Sequence, residues 1–266
     1  MPSPVENPLT LFDVRGKRAI VVGATGAFGA LAAQTLAAAG CKLTICGSKT
    51  EELEHVAEEC RAHGGAVLSI ARRSNTEADA NAIVEASIEK FGSVDISVVA
   101  SGINEVSPIV EMAPEAFARV MEANVTGAWL MARAVGARMI LQGTGGKVVL
   151  TSSARGLLGH PAGYSAYCAS KAAVDGITRA LGCEWGKYGI TVNAIAPTVF
   201  RSPLTAWMFE DNDKARAARA GFLTRVPLGR LGEPADLAGP LLFLCSRASD
   251  FYTGHVLYAD GGYTSG

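Results

Sequence analysis

Neither a charge imbalance nor a long apolar run is present in this sequence. Its 24 lysines and arginines nearly balance its 25 aspartates and glutamates over 266 residues, which leaves a formal net charge of -1. A basic excess is what attracts nucleic acid or an anionic membrane surface, and it is missing here. The apolar runs are also far shorter than the roughly 20 residues that cross a bilayer. We therefore expect neither nucleic acid nor a membrane among the partners.

The first residues and the cysteines narrow the setting further. The chain begins Met-Pro-Ser-Pro-Val-Glu-Asn-Pro, with prolines and a glutamate where a secretory signal would carry a basic and then an apolar region. This start predicts a cytoplasmic protein. No two cysteines form a Cys-x-x-Cys pair, and several fall inside apolar segments, which favours buried reduced thiols over a metal site or disulfides. The six cysteines are at positions 41, 46, 60, 168, 183 and 245.

Strand-like and helix-like segments alternate along most of the chain. Three prolines in the first eight positions predict an arm without a core of its own over residues 1–14. From residue 15 to residue 266 no linker interrupts the alternation, which indicates one domain. Strands separated by helices of this length predict a parallel sheet that helices cover on both faces. The predicted strands are 17–22, 42–46, 66–70, 95–100, 147–151, 190–195 and 255–259, and the predicted helices include 50–63, 76–91 and a long one from about 122 to 141.

A glycine-rich turn follows the first predicted strand. Gly23-Ala24-Thr25-Gly26-Ala27-Phe28-Gly29 stands between that strand and an alanine-rich helix. Such a turn lets backbone N–H groups approach a pyrophosphate at a helix N-terminus, where the helix dipole favours negative charge. An ordinary tight turn is the alternative, but strand, turn and helix together are the context that the motif requires. The pattern predicts an α/β fold of Rossmann type, a doubly wound parallel sheet of about seven strands.

A tyrosine and a lysine stand four residues apart in Ser165-Ala166-Tyr167-Cys168-Ala169-Ser170-Lys171, a segment with a helical pattern. Spacing of four puts both side chains on one face of a helix. A tyrosine titrates near pH ~10, and an adjacent ammonium favours the phenolate, so we expect Lys171 to lower the pKa of Tyr167. The two residues would then form an acid-base unit. By itself the spacing is common, and a solvated helix face is its usual explanation.

Together with a terminal Tyr258-Ala259-Asp260-Gly261-Gly262, the glycine turn and the Tyr-Lys pair resemble the compact single-domain branch of the short-chain dehydrogenase/reductase family, over residues 13–266. The resemblance implies hydride transfer between a nicotinamide cofactor and a small carbonyl or secondary alcohol substrate. It also implies that Tyr167 is the general acid or base, and that Lys171 tunes it and holds the nicotinamide ribose.

The same resemblance implies two further catalytic residues. Ser153 would hydrogen-bond the substrate oxygen, with Ser152 as the fallback because the spacing to Tyr167 is one residue longer than the family's usual. Asn124, in Ala123-Asn124-Val125-Thr126-Gly127, would hold a helix irregularity and a water of a proton relay. A serine that caps the next turn and an asparagine that satisfies backbone groups are the structural alternatives.

Several cofactor positions depart from the family's usual residues. The middle glycine of the turn is Ala27, whose methyl group would narrow the approach to a pyrophosphate without closing it. The usual Asn-Ala-Gly after the fourth strand is Ala100-Ser101-Gly102, and the usual Pro-Gly after the sixth is Pro197-Thr198. The resemblance implies cofactor contacts from Gly23, Thr25, Ala27, Phe28, Gly29, Ala100, Ser101, Gly102, Tyr167, Lys171, Pro197, Val199 and Ser202.

The end of the second strand indicates which nicotinamide is used. NAD preference needs an acidic residue there to accept from the ribose 2'-hydroxyl, whereas NADP needs donors for a phosphate. The residues are Gly47-Ser48-Lys49, without a carboxylate, and Ser48 and Lys49 can bind a phosphate. Arg72-Arg73 would add donors, although plain surface charge is an equal alternative for them. We expect NADP as the cofactor, with NAD as the alternative.

The resemblance further implies a substrate lid over about 198–226. An apolar cluster there can close over a substrate and exclude water, or it can be ordinary helix packing. Arg155 and His160 could reach a polar substrate group. The substrate itself stays open among a β-ketoacyl thioester, a sugar or polyol, a steroid and a small ketone. The first lid residues are Arg201, Trp207, Met208 and Phe209.

Two other classes remain as alternatives. A cofactor-sensing or scaffold protein of the same fold would be expected to lack part of the catalytic set, and all four residues are present. A nucleotide-sugar enzyme of the extended branch would fit the spacing of Gly23, Gly26 and Gly29, but such enzymes carry a longer C-terminal region. The resemblance also implies assembly as a homotetramer.

Overall fold

Seven parallel strands form one sheet at the centre of the computed structural model, which describes residues 6–202 and 205–266. The strands are β1 (Arg18–Val22), β2 (Lys42–Gly47), β3 (Val67–Ala71), β4 (Ile96–Val99), β5 (Gly146–Thr151), β6 (Ile190–Pro197) and β7 (Val256–Ala259). Their order across the sheet is β3-β2-β1-β4-β5-β6-β7, and every neighbouring pair is parallel. The predicted doubly wound α/β fold is therefore confirmed.

Helices connect the strands and cover both faces of the sheet. Glycines with left-handed backbone end two of them, at Gly92 (φ 86°) and Gly143 (φ 68°), where a side chain would be strained. The helices are α1 (Ala27–Ala38), α2 (Thr50–Ala62), α3 (Glu77–Phe91), α4 (Pro114–Met121), α5 (Gly127–Gln142), α6 (Ser165–Trp185), α7 (Asp213–Leu223) and α8 (Ala235–Cys245).

Alternate residues of each strand feed two separate core clusters. In β1, Ala19 and Val21 pack with α1, α2 and α8, whereas Ile20 and Val22 pack on the other side with α3, α5 and α6. All four side chains are at most 2% exposed. Because both faces are covered, the strands read as continuous apolar runs, which is typical of parallel sheets.

The predicted long helix from about 122 differs from the structure. Helical backbone begins at Pro114, whose fixed φ suits the first turn, and continues without a cap through Glu122. The five residues Glu122–Thr126 wind as a π-helix, in which Gly127 N–H donates to the carbonyl of Glu122, five residues back. The π turn joins α4 to α5, so one irregular helix extends from Pro114 to Gln142. Periodicity could not show a local change of winding, because the apolar pattern runs on across it.

Part of the predicted N-terminal arm packs against the core of the domain. Residues 1–5 of the arm lie outside the described residues, Pro8–Phe12 form a short 3-10 helix, and Val14 belongs to the core cluster on the α1 side. All six cysteines are free, and four are buried. Among the described residues, no helix combines the length and the apolar character that crossing a membrane needs.

Candidate active site

Two adjoining cavities open at the carboxyl ends of the strands, next to β1 and β4, where the strand order reverses. Ligands of open α/β sheets bind at such a switch point. One cavity has a volume of about 640 Å³ and the other about 280 Å³, and they share Thr25, Gly26, Lys49, Glu52, Ala100, Gly102 and Ile103. Of the predicted cofactor residues, those that line one or both cavities are Gly23, Thr25, Ala27, Phe28, Ser48, Lys49, Arg72, Ala100, Ser101, Gly102, Tyr167, Lys171, Pro197 and Ser202.

Two glycines of the turn are required by close backbone approach. Gly23 has φ 80°, and a Cβ there would lie 2.5 Å from the backbone nitrogen of Ser101. A Cβ on Gly29 would lie 2.1 Å from the carbonyl oxygen of Gly23. Gly29 therefore packs the start of α1 against the turn, and only its backbone N–H is left to meet a cofactor, so its contact stays a prediction.

The N-terminus of α1 keeps free donors beside these cavities. Gly26 is the N-cap and supplies no side-chain acceptor, and the first intrahelical bond runs from Ala30 N–H to Gly26 O at 2.8 Å. The amides of Ala27, Phe28 and Gly29 have no protein acceptor among the described residues. Free amides at the positive end of a helix fit a pyrophosphate. The residues present therefore fit a nicotinamide dinucleotide.

Tyr167 and Lys171 face the larger cavity from the first turns of α6. The ammonium of Lys171 donates to the carbonyl of Thr151, at the end of β5, over 2.8 Å. It lies 5.6 Å from the centroid of the Tyr167 ring. Burial lowers the pKa of Lys171 to about 8, and the charge of Asp175 acts in the opposite direction. The predicted pairing of tyrosine and lysine on one helical face is present in the structure.

The pKa of Tyr167 moves against the sequence-based prediction. Burial of the phenol raises it, and a hydrogen bond with Ser153 and the positive charge of Arg155 only partly oppose that rise. The prediction was wrong because spacing along a helix says nothing about desolvation, which disfavours the phenolate. The spacing also does not indicate that the Lys171 ammonium donates a hydrogen bond to a backbone carbonyl.

The two candidate serines at the end of β5 have different surroundings. The Ser153 hydroxyl lies close enough to Tyr167 to lower its pKa, accepts from Arg155 N–H at 3.2 Å and donates to the carbonyl of Pro197 at 3.5 Å. The Ser152 hydroxyl instead contacts the Lys171 carbonyl at 3.5 Å and the buried carboxyl of Asp175. Of the two serines, Ser153 is therefore the one placed beside the tyrosine hydroxyl.

Asn124 is buried in the π turn and joins two elements of the site. Its Oδ1 accepts from Ile103 N–H at 2.7 Å, and its Nδ2 donates to Ile103 O and to Ser170 Oγ, both at 2.9 Å. A Cβ on Gly102 would come within 3.0 Å of that Oδ1. Asn124 thus fastens the loop after β4, which lines the cavity, to α6, which carries Tyr167 and Lys171.

The predicted phosphate-binding residues lie together in the smaller cavity, but two of them already have partners. Ser48 and Lys49 follow β2, and Arg72 follows β3. Lys49 Nζ pairs with Glu52 at 2.7 Å, and Arg72 pairs with Asp79. Glu52 also lines this cavity, and the sequence analysis did not single it out. Its position three residues after Lys49 was the available signal. Arg73, Ser74 and Asn75 also line this cavity.

A further cavity of about 630 Å³ lies on the other side of Tyr167, beneath the predicted lid. Val199 lines this cavity and not the two that hold the other predicted cofactor residues. Trp207 and Met208 line it as predicted, whereas Arg201 pairs with Glu233 at 2.9 Å and stacks on Phe209 away from it. Lid positions 203 and 204 lie outside the described residues. The cavity is also lined by Arg155 and His160, which the sequence analysis named. Four further lining side chains were not predicted: Tyr164, Phe222, Arg225 and Tyr263.

A doubly wound sheet, a dinucleotide-type cleft and a tyrosine-lysine pair define a nicotinamide-dependent oxidoreductase fold. The chain belongs to the short-chain dehydrogenase/reductase family: residues 23–264 match the family model described as Enoyl-(Acyl carrier protein) reductase. An uncharacterized oxidoreductase of Mycobacterium tuberculosis is 50% identical over 257 residues, covering 97% of this chain and 94% of that protein. The 2-dehydro-3-deoxy-D-gluconate 5-dehydrogenase of Dickeya dadantii is 36% identical, covering 96% and 98%.

A solved structure supports the assignment to this family. A gluconate 5-dehydrogenase from Burkholderia cenocepacia, in complex with NADP and tartrate, superposes with a TM-score of 0.90 at 30% identity, covering 98% of this chain and 100% of that one. The protein is therefore an oxidoreductase of alcohol or carbonyl substrates, in a family that typically uses NAD or NADP. Within the described residues, no three His, Cys, Asp or Glu side chains are grouped so as to hold a metal ion.

Proposed function

We propose that this protein is an NADP(H)-preferring oxidoreductase that interconverts a secondary alcohol and a ketone, in one catalytic domain over residues 15–266. The observation that carries the proposal is the meeting of Tyr167, Lys171 and Ser153 at one cavity that continues to the free amides of α1. Hydride transfer needs a proton donor or acceptor at the substrate oxygen and a bound nicotinamide on the carbon side. Tyr167 meets the first requirement, and the free amides of α1 fit the second.

The bound nicotinamide supplies the hydride in reduction and accepts it in oxidation. Ser153 donates a hydrogen bond to the substrate oxygen, where charge develops, and Tyr167 gives or takes the proton. Because burial raises the pKa of Tyr167, the phenol keeps its proton at neutral pH, which is the form that carbonyl reduction needs. Lys171 places a positive charge beside the phenolate that results and holds the ribose, and Asn124 positions the loop at Ile103.

The NADP preference rests on the residues at the ends of β2 and β3. Ser48, Lys49 and Arg72 surround the smaller cavity with hydroxyl and cationic donors, and no carboxylate stands at the end of β2 itself. The relative from Burkholderia cenocepacia was solved with NADP, which supports the same choice. Glu52 acts against it, because its carboxylate neutralises Lys49.

Fluorescence titration with NADPH and with NADH tests the cofactor proposal. We expect tighter binding of NADPH, and Ser48→Ala/Lys49→Ala should weaken NADPH about 10-fold or more while changing NADH little. Glu52→Gln should tighten NADPH binding, because it frees the Lys49 ammonium. Lys90→Ala, an exposed lysine of α3, is the matched control. Equal affinity for both cofactors in the unmodified protein would contradict the proposal.

The catalytic assignment is tested by Tyr167→Phe. We expect turnover to fall by roughly 100-fold or more, the range of general acid-base catalysis, with NADPH affinity unchanged. The control is Tyr188→Phe, an exposed tyrosine just beyond α6 that lines none of these three cavities and should keep the activity. Full activity in the Tyr167 variant would remove the proposed acid and with it the mechanism.

We propose a small polyhydroxylated substrate and a homotetrameric assembly. The two named dehydrogenases above act, by their names, on gluconate or a deoxygluconate derivative, which supports a sugar-derived molecule. Phe117 of α4 and Trp129 of α5 are 43% and 46% exposed, and apolar rings on neighbouring helices support packing between subunits. Light scattering of the purified protein measures the assembly.

A further inference from the structure

The cavity beneath the lid is lined by positive charge without a described counter-charge. Two arginines, Arg155 and Arg225, and one histidine, His160, line it. No aspartate or glutamate is among its lining residues over the described ranges 6–202 and 205–266. Its other walls are mostly aromatic and aliphatic side chains, which offer these cations no counter-charge. Such a site favours a negatively charged ligand.

Arg155 is held in place by neutral partners and keeps donors free. It lies two residues after Ser153, in the 3-10 turn Ala154–Gly156, and donates to Gly159 O and to the Tyr263 hydroxyl, each at 2.8 Å. A guanidinium carries five N–H donors, so these two bonds fix its position and leave the others for a ligand. No carboxylate pairs with it in the described chain. Most other arginines do form ion pairs there: Arg15, Arg18, Arg61, Arg72, Arg119, Arg133, Arg201, Arg216, Arg230 and Arg247.

Tyr263 brings the second arginine to the same place. Its ring is 4% exposed and stacks on Phe222 at 5.0 Å between centroids. The guanidinium carbons of Arg155 and Arg225 lie 5.2 and 4.6 Å from the centroid of this ring. Two cations around one buried ring repel each other, and an anion between or beside them relieves that repulsion. The described chain supplies no such anion.

The charge of Arg155 is also felt at the reacting side chain. Burial raises the pKa of Tyr167, and the positive charge of Arg155 opposes that rise. Burial lowers the pKa of His160, and Arg155 lowers it further. Tyr167 and Arg155 line the same cavity, so a small substrate can contact both residues at once.

We propose that Arg155, assisted by Arg225, binds a carboxylate of the substrate, so that the substrate is a small hydroxy or oxo acid. The inference rests on the proposed function, since it assigns the far end of the same substrate. A planar guanidinium binds a carboxylate through two parallel hydrogen bonds, which also fixes the direction of the substrate chain. The volume of about 630 Å³ is in the range of pockets for ligands of sugar-acid size.

A comparison of matched acid and alcohol substrates distinguishes carboxylate binding by Arg155 from a purely structural role of this residue. Aldonic acids of four to seven carbons, D-gluconate among them, are compared with the alditols of equal length, D-glucitol among them, with NADP⁺ as the oxidant. We expect kcat/KM to be at least ~10-fold higher for the best acid than for its alditol, the size of a charge-assisted hydrogen bond. Arg155→Gln should lower the acid value ~10- to 100-fold, mostly through KM, and the alditol value less than ~3-fold.

Two further variants sharpen the comparison. Arg155→Lys keeps the charge without the fork and should fall between the unmodified protein and the glutamine variant. Arg216→Gln, on α7 but paired with Asp211 and Asp213 outside the cavity, is the matched control and should leave both values unchanged. Equal losses for acid and alditol in Arg155→Gln would show that the arginine only supports the fold and would overturn the proposal.

Calorimetry on the NADP⁺-loaded Tyr167→Phe variant measures substrate binding separately from turnover. Binding of acids that weakens with Arg155→Gln supports the anion site even where no acid is turned over, and in that case the proposed reaction fails on its own. Turnover of alditols alone leaves the proposed function standing and overturns the acid site. Failure of every acid to bind overturns it too, as does preferential binding of sugar phosphates over aldonates, which would assign the arginines to a phosphate.

Discussion

Replacing Asn124 with alanine tests the link between the cofactor loop and the catalytic helix. The amide is 1% exposed and makes three hydrogen bonds, two to the backbone of Ile103 and one to Ser170 Oγ. Alanine fits the helical backbone, so the variant removes the bonds without forcing a new conformation. What it leaves behind are the N–H and the carbonyl of Ile103, both partly buried, without their partner.

The magnitude follows from those groups. The N–H and the carbonyl of Ile103 each lose their acceptor or donor, whereas Ser170 still donates to Tyr167 O at 2.8 Å. A buried polar group without a partner costs about 1–3 kcal/mol, so we expect a loss of about 3–5 kcal/mol in the free energy of unfolding. For a chain of 266 residues the entropy of unfolding is ~0.6 kcal/mol/K, which converts the loss into a fall in Tm of about 5–8 °C.

Thermal and urea unfolding measure this loss, with Ser170→Ala as the comparison. That variant leaves one N–H of Asn124 without a partner and should cost only about 1–2 kcal/mol. Because the two residues are in contact, the double variant should cost less than the sum of the single ones. A change of less than about 1 kcal/mol in Asn124→Ala would show that the bridge contributes little and would refute the reasoning.

Two further substitutions, one in α6 and one in α5, test the titration of Lys171 and the packing between these two helices. Asp175→Asn should move the alkaline limb of the kcat/KM profile to lower pH: burial already lowers the pKa of Lys171 to about 8, the charge of Asp175 raises it, and its removal makes the lysine lose its proton sooner. An unmoved limb in the pH profile would mean that Lys171 does not titrate there. Gly136→Ala should cost about 1–3 kcal/mol in urea unfolding, because its Cβ would lie 2.4 Å from the buried ring of Trp185. Gly176→Ala, with open space around it in α6, should instead be neutral or slightly stabilising, and the reverse order would contradict the packing.

The fold could be predicted because its signals are local. Alternating apolar strands and helices gave all seven strands within a few residues, and the glycine turn marked the switch point from a single stretch. The position of Tyr167 and Lys171 on one face followed from the period of the helix alone. Each of these inferences needed only residues that are neighbours in the chain.

What could not be predicted depends on contacts between distant segments. Tyr263 and Arg225 join Arg155 only after β7 and α7 are in place, and no spacing in the sequence indicates this. Glu52 faces the cavity because α2 begins shortly after the end of β2, a placement that the sequence alone does not indicate. The π turn at Asn124 depends on the loop at Ile103, 21 residues away along the chain.

The raised pKa of Tyr167 and the lowered pKa of Lys171 have one physical origin and one consequence. Burial disfavours the charged form of each group, so an isolated phenolate and an isolated ammonium are both costly at this cavity. In the proposed mechanism Tyr167 gives its proton to the substrate oxygen, and the phenolate would then be stabilised by the Lys171 ammonium, whose nitrogen lies 5.6 Å from the ring centroid. The spacing of tyrosine and lysine along the helix predicted a tyrosine that is easy to ionise, whereas burial in the structure raises its pKa and favours the neutral phenol.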